Sequence, residues 1–392
     1  MISNNNETRF FFYVLLVICT LTITGCRSRR VNPADEVIRI DTLQYAKGLK
    51  IGYFNDFTVV TLRDPWDTVK TRKVYILTPR TVLAGRPGLR DSLGNMGILI
   101  ETPVRKAVIY TSVHAAMAAQ LGVLDQVCGV CEPEYITSSE VLDKINNQLI
   151  SDLGQSTSPN VEKIMDLGCD AIIASPFENS GYGAAEKLGI PIIEAADYME
   201  HHPLGRTEWV KFYGLLFGCR ACADSLFSAT CENYNSLKQM CGGITKRPTV
   251  VLERKWGQTW GVPAAGSYVG CLHKDAGAEY VFSDITTPSS VHMTFEQVFE
   301  RGYDADYWLF KYSGSEAMTL DDLKQEYLPY SNFKAFNAQN VYGCNTLVST
   351  YYDDITLHPD RILADLIYIY HPELLPEYRP RYYFKLEKSQ LK

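Results

Sequence analysis

Residues 159–175 read PNVEKIMDLGCDAIIAS, and a looser version, MTFEQVFERGYDADYWLF, returns at 293–310. In each, a Glu (Glu162, Glu296) stands near the start of an amphipathic stretch, a Gly (Gly168, Gly302) closes it, and an Asp (Asp170, Asp306) leads into a β-rich apolar run. A helical period that gives way at once to a short apolar run is half of a parallel-sheet unit. Its double occurrence predicts equivalent helix–strand units in two separate α/β lobes.

Working outward, KAVIYTSVHAAMAAQLGVLDQVCGV from Lys106 reads as a strand, a polar loop at Thr111–His114, a helix ending at Leu121-Gly122 and a second strand. Helix–strand pairs are expected again at PNVEKIMDLGCDAIIASP and EKLGIPIIEAADY. Such loops open at the carboxyl ends of strands, where open α/β sheets place ligands. Ahead of this lobe, LKIGYFNDFTVVTLRDPWDTVKTRKVYILTP (49–79) alternates β-branched and polar residues around the turn signal Asp64-Pro65-Trp66-Asp67, which predicts antiparallel strands. Beyond Gly205 the texture becomes helical without Pro, interrupted near Gly218-Cys219 and stopped by Gly242-Gly243. Its second part, Ala221 to Met240, would reach ~30 Å at about 1.5 Å per residue and reads as one spacer helix. RPTVVLERK, GSYVGCLHKDAGAEYVF, TFEQVFERGYDADYWLF and FNAQNVYGCN then restore the strand and helix alternation.

The N-terminus lies outside this pattern. In RFFFYVLLVICTLTITGC, Arg9 precedes an apolar run from Phe10 to Thr24. That run falls short of the ~20 apolar residues a membrane span takes and suits a signal-peptide core. It ends in ITGC, which resembles the bacterial lipobox, so Cys26 is expected to carry a diacylglycerol after cleavage behind Gly25, with RSRRVNPADE as a polar tether. An ordinary signal peptide or anchor helix that happens to hold a Cys is the competing reading. The expected division is a lipoprotein signal peptide (1–26), a tether (27–45), an N-terminal α/β lobe including the β segment (46–205), a helical linker (206–242) and a C-terminal α/β lobe (243–392).

With 392 residues, 46% of them hydrophobic and 21% charged, the chain is globular and long enough for two domains. A net charge of −7 and a pI near 5.6 lack the basic footprint of nucleic-acid binding. Of eleven Cys, Cys19 goes with the leader and Cys26 with the lipid. The rest are odd in number, so at least one thiol is unpaired or shared even where export permits disulfides. Cys128-x-x-Cys131 and Cys219-x-x-Cys222 have the spacing of zinc or redox sites but fall on a strand end and a helix start, without a shared geometry.

Two small α/β lobes, one long helix and an exported lipoprotein leader together resemble the substrate-binding proteins of ABC importers for iron-siderophore, haem and cobalamin. TSVHAAMAAQLGVLDQVCGV is similar to the family's first βα unit, PNVEKIMDLGCDAIIAS to its N-L-E-x-I-x-x-L-x-P-D-L-V-I, EKLGIPII to its L-x-x-L-G-I-P-V, and HPDRILADLIYIYHPELLP to its closing helix. The resemblance covers roughly residues 100 to 376, and the 49–100 segment extends beyond the family's minimal pattern. It implies an α/β fold of two Rossmann-like lobes joined by one long α-helix, here with an N-terminal antiparallel β segment. It also implies partners: an ABC permease dimer with its ATPase subunits, a small-molecule iron chelate or corrinoid, and a membrane reached through a lipid anchor. The protein is expected to act as a monomer and to face the periplasm.

In this family each lobe carries an exposed acidic residue at the start of the repeated helix, and the two dock on basic residues of the permease. The matching positions are Glu162 and Glu296. Rim charges of this kind steer encounter and fix orientation. Taken singly, each is also explained by the helix dipole, worth ~0.3–1 kcal/mol to a first-turn carboxylate.

Ligand-binding candidates come from loops at strand ends. In the N-terminal lobe they are Thr111, Ser112 and His114, the stretch from Glu132 to Tyr135, Phe177 with Glu178 and Tyr182, and Tyr198 with His202 and Arg206. The C-terminal lobe offers Arg254, Trp256, Trp260 and Tyr268 in the Gly-rich ERKWGQTWGVPAAGSY, Lys311 and Tyr312 in KYSG, and Asn345, Tyr351 and Tyr352 in CNTLVSTYYDD. Aromatics beside Arg and Lys suit a flat or anionic ligand. A bare ion held by His114, His202 and His292 is the weaker reading, since no His-rich loop occurs. No Gly-x-Ser-x-Gly elbow, phosphate loop or Gly-x-Gly-x-x-Gly fingerprint occurs, so binding without catalysis is expected. Ferric siderophore leads as cargo, then haem or cobalamin. A surface-exposed lipoprotein that feeds an outer-membrane receptor keeps the same fold and differs in where Cys26 is anchored.

Overall fold

The computed structural model describes residues 38–86, 88–287 and 290–389. The leader, Cys26 and most of the tether lie outside them. Among the described residues no helix is long and apolar enough to cross a membrane.

The described residues form four sheets. The first, order β1-β2-β3-β4-β5, joins β1 (Arg39–Asp41), β2 (Leu49–Tyr53), β3 (Thr58–Arg63) and β4 (Thr71–Pro79) as antiparallel neighbours. Strand β5 (Ile98–Thr102) returns parallel to β4 after the short helices Arg80–Gly85 and Leu89–Gly94. The predicted β segment thus forms a sheet of its own beside the N-terminal lobe. Its Tyr75 hydroxyl accepts from Glu194 N at 2.8 Å, tying it to the edge of the next sheet.

The second sheet runs β10-β9-β6-β7-β8 and is parallel throughout: β6 (Ala107–Ile109), β7 (Val127–Val130), β8 (Ser151–Asp152), β9 (Ala171–Ala174) and β10 (Ile192–Glu194). The third runs β14-β11-β16-β17-β18, with β11 (Thr249–Leu252), β14 (Glu279–Tyr280), β16 (Tyr307–Tyr312) and β17 (Val341–Asn345) parallel and β18 (Tyr383–Lys385) antiparallel at the edge. Strands fully buried on both faces, such as Ala171–Ala174, read as continuous apolar runs for that reason.

Laid side by side, β7-β6-β9-β10 and β14-β11-β16-β17 have the same order, so the echoed sequences occupy the same place in each lobe. Helix Val161–Leu167 leads into β9 and helix Phe295–Gly302 into β16. Ile164 and Val298, each fully buried two residues after its Glu, anchor the helices. The two Asp residues do the same work: Asp170 Oδ2 accepts from Arg105 N at 2.8 Å, and Asp306 Oδ2 from Thr249 N at 2.9 Å, so each fastens the start of the neighbouring strand. The Gly residues differ. Gly168 ends its helix in the left-handed region at φ 58°. Gly302 instead packs where a Cβ would stand 3.1 Å from Val251 Cγ2.

Helix Arg220–Met240 spans between the lobes, its buried residues Ala223, Phe227, Thr230 and Tyr234 falling on one stripe. The interruption before it is a corner, where helix Val210–Phe217 stops at Gly218 with φ 75°. Helix Pro359–Tyr370 packs against the spacer helix, and Thr230 Oγ1 donates to Leu357 O at 3.0 Å. Two readings of detail are corrected. EKL (186–188) lies in a 3-10 segment, Gly183–Leu188, rather than an α-helix. The Gly-rich ERKWGQTWGVPAAGSY is largely a hairpin of β12 (Lys255–Trp256) and β13 (Thr259–Val262), extended by β15 (Val291–Met293) into a fourth sheet.

Candidate functional site

A cavity of about 370 Å³ opens between the loop after β10 and the carboxyl ends of β11 and β16. One wall is Tyr198, Met199, Glu200 and His201, and the other includes Glu253, Ser267, Tyr268 and Lys311. Strand direction explains the meeting: each parallel sheet delivers its loops at the same end, and the spacer helix sets the two ends face to face.

On the C-terminal wall, Glu253 immediately follows β11 with φ 60°, a conformation that costs a non-glycine residue of order 1–3 kcal/mol. It is held there by its surroundings: Glu253 N donates to Leu309 O at 2.8 Å, Trp308 Nε1 donates to Glu253 O at 2.7 Å, and its carboxylate forms an ion pair with Lys311. Burial works against the Lys311 charge, yet the Glu253 carboxylate outweighs it and holds the ammonium above its ordinary range. The Tyr351 ring lies 6.0 Å from Lys311 Nζ. Tyr268 opens helix Tyr268–Asp275, which Ser267 caps, and its hydroxyl donates to Ile355 O at 2.8 Å.

Of the candidates from sequence, this cavity brings together Tyr198, Tyr268 and Lys311. His114 is placed otherwise. Only 2% exposed, it donates from Nε2 to Asp197 Oδ1 at 2.7 Å, with Thr111 Oγ1 on its Nδ1. Arg206 Nε donates to Asp197 Oδ2 at 3.1 Å and Tyr213 OH to Oδ1 at 3.1 Å. Burial opposes the Asp197 charge, but His114 and Arg206 outweigh it and hold this carboxyl well below the usual range. The network is buried, and the Arg206 guanidinium, 5.7 Å from the Tyr268 ring, links it to the cleft.

The tryptophans separate because directly paired residues of a hairpin share a face. Trp256 pairs with Thr259 and Lys255 with Trp260, so the two rings point apart: Trp256 is 82% exposed and Trp260 is fully buried. Trp260 stacks on Trp308 at 5.8 Å in the lobe core, with Nε1 donating to Leu252 O at 2.9 Å. It is a core residue, and its ring does not reach the cavity. Arg254 is engaged with Glu326. Tyr135 and Phe177 are exposed, Phe177 lying 6.5 Å from the Tyr198 ring. Tyr312 lines a second cavity of about 180 Å³, bounded also by Asn345 and Phe384. Tyr351 is buried behind Lys311.

Sequence reasoning missed Glu200 and Glu253. Nothing local marks Glu200, whereas Glu253 sits at the end of VVLE, where a strand predicted to be parallel must deliver its next side chain to the cleft. Among the described residues no cluster of three or more His, Cys, Asp or Glu could hold a metal. His202 caps helix Pro203–Glu208 with Nδ1 accepting from Leu204 N at 3.1 Å, and His292 lies exposed on β15. The nine described cysteines are all free thiols.

Among known families, a model described as periplasmic binding protein matches residues 107–346. An uncharacterised lipoprotein of Methanocaldococcus jannaschii is 24% identical over 403 residues, covering 95% of each chain. Among solved structures, a possible iron-binding, periplasmic solute-binding protein from Staphylococcus epidermidis superposes with TM-score 0.55 at 13% identity, over 68% of this chain and 99% of its own. An ABC-type Fe3+-hydroxamate transport protein from Saccharomonospora viridis gives 0.51 at 18% identity, over 70% and 93%.

Proposed function

The chain belongs to the periplasmic binding protein family, and on that premise we propose that it captures an iron chelate, a ferric siderophore first, between its lobes and delivers it to an ABC permease dimer with ATPase subunits. A lipid on Cys26 would hold it at the membrane. One observation carries this reading: Glu162 and Glu296 are both exposed and both occupy the second position of a helix, behind Asn160 and Thr294 as N-caps, at the same point of the two lobes. Its own backbone amide and the Thr294 side chain hold Glu296 below the usual carboxylate range, so it stays ionised. A docking carboxylate on each lobe lets a two-fold partner engage both lobes at once.

The cavity volume bears on the cargo. At about 370 Å³ it lies near the lower end of the ~300–1,000 Å³ usual for ligand pockets, which favours a compact chelate over haem or a corrinoid. Binding involves no chemistry: the Glu253–Lys311 pair and Tyr268 supply contacts rather than a nucleophile with its base. The test is the double change Glu162→Arg with Glu296→Arg in whole cells. Cargo uptake is expected to be abolished while the purified variant binds cargo unchanged; intact uptake would remove the docking role.

A further inference from the structure

Residues 44–48 have no strand partner for their amides. Five consecutive backbone N–H groups instead donate into two carboxylates of the N-terminal lobe: Gln44, Tyr45 and Ala46 to Glu208 at 2.8–3.0 Å, Lys47 and Gly48 to Glu200 at 2.8–3.0 Å. This strap precedes the residues that the family model matches. Its Tyr45 ring stacks on His202 at 4.9 Å and meets Phe227 of the spacer helix edge-on at 6.4 Å. Gly205 completes the seat: a Cβ there would stand 3.0 Å from Tyr45 O and 3.3 Å from Glu200 Oε2.

The two carboxylates differ in what surrounds them. Glu208 is 1% exposed, and Lys211 Nζ donates to it at 3.0 Å, so its charge is matched inside the protein. Glu200 lines the cavity, and its donors are neutral: the two strap amides and Trp209 Nε1 at 2.9 Å. Across the cavity the Lys311 ammonium is already committed to Glu253. A carboxylate whose donors are all neutral, on a residue that lines the cavity, attracts a cation or a strong hydrogen-bond donor.

We propose that the strap is a working part of the cleft, positioning Glu200 as a specificity-determining carboxylate that selects cargo bearing a cationic group. This rests on the cargo reading above and deepens it. Lys47 and Gly48 are positioning residues here: they fix where the negative charge stands. Gly48 leaves little room, because a Cβ would lie 3.0 Å from Glu200 Oε1 and 3.2 Å from Trp209 Cζ2 and would press on both.

The test titrates the full-length protein with two probes, a linear ferric trihydroxamate carrying a free ammonium arm and the same chelate with that amine acetylated. The wild type is expected to bind the ammonium form about tenfold more tightly, the scale of one charge-assisted hydrogen bond. Glu200→Gln, which keeps an acceptor for the strap, should bring the ratio to about one without weakening the acetylated chelate. Gly48→Ala should shrink the ratio in the same way, and a loosened fold would not change a ratio between two ligands of one site. Should Glu200→Gln fail to fold, the wild-type ratio and its fall with added salt, together with Gly48→Ala, decide the matter. Equal binding of both chelates by the wild type, or a ratio unmoved by either change, overturns the inference and leaves the cargo reading standing. Binding of neither chelate contradicts the cargo reading, and the inference falls with it.

Discussion

His114 shows how a side chain read as a ligand contact takes a place in the buried interior instead. His114 follows a strand by a few residues, which in sequence places it at a cleft, yet the helix it sits on turns it inward to Asp197, where Arg206 and Tyr213 also converge. Asp197→Asn removes the carboxylate that pairs with Arg206 in this buried cluster and should cost about 3–5 kcal/mol of unfolding free energy, measured by denaturant titration. A loss below about 1 kcal/mol would mean the network is not held together by that charge. His273 gives the pH dependence. Burial, with Lys311 nearby, pushes its imidazole down to about 3 from 6.5, its Nδ1 sitting 2.7 Å from Tyr370 OH. Between those values the unfolded chain binds a proton that the folded one does not, so stability falls as pH drops from 6.5 toward 3. Denaturant midpoints at pH 7 and pH 5 should show this, and His273→Gln should flatten the difference; an unchanged difference assigns it to other groups.

Among the elements, the spacer helix and the two echoed units were legible in sequence because each carries a strong period and a clear stop. Gly218 and the Gly242-Gly243 pair mark the helix ends, and Asp170 and Asp306 mark strand starts. The hairpin of β12 and β13 was not legible: its strands are two and four residues long, too short for alternation to show, and its Gly257 turn looks like loop composition. The error moved Trp260 from core to cleft. The site was half legible for the same reason. Lys311 and Tyr268 follow predicted strands and turns, whereas Glu200 owes its place to amides more than 150 positions away in sequence. The corner before the spacer helix offers a direct test of element packing. A Cβ on Gly214 would lie 2.5 Å from Ala223 Cβ and 3.2 Å from Arg220 Cα. Gly214→Ala should therefore lower stability by about 1–3 kcal/mol through overpacking, read as a drop in melting temperature. An unchanged melting temperature would show that the corner yields freely.

For the molecule as a whole, the way the lobes are joined predicts a small closure. Besides the spacer helix, Thr137 Oγ1 donates to Asp353 Oδ2 at 2.8 Å and Gln120 Nε2 to Asp353 O at 2.9 Å, bridging the two lobes. Cargo binding should therefore change the radius of gyration by less than about 1 Å in small-angle scattering, the behaviour of pre-organised partners. A larger contraction would require those bridges to break.

The cleft itself is tested most directly by calorimetric titration of a ferric trihydroxamate against the wild type and against the double variant Glu253→Gln with Lys311→Met. Replacing both members of the pair leaves no buried charge alone, so a loss of affinity reports contact with cargo rather than damage to the wall. One-to-one binding at micromolar or tighter affinity, weakened at least about tenfold in the double variant, is the predicted result. Binding that is unaffected by the double change would place the cargo elsewhere on the molecule.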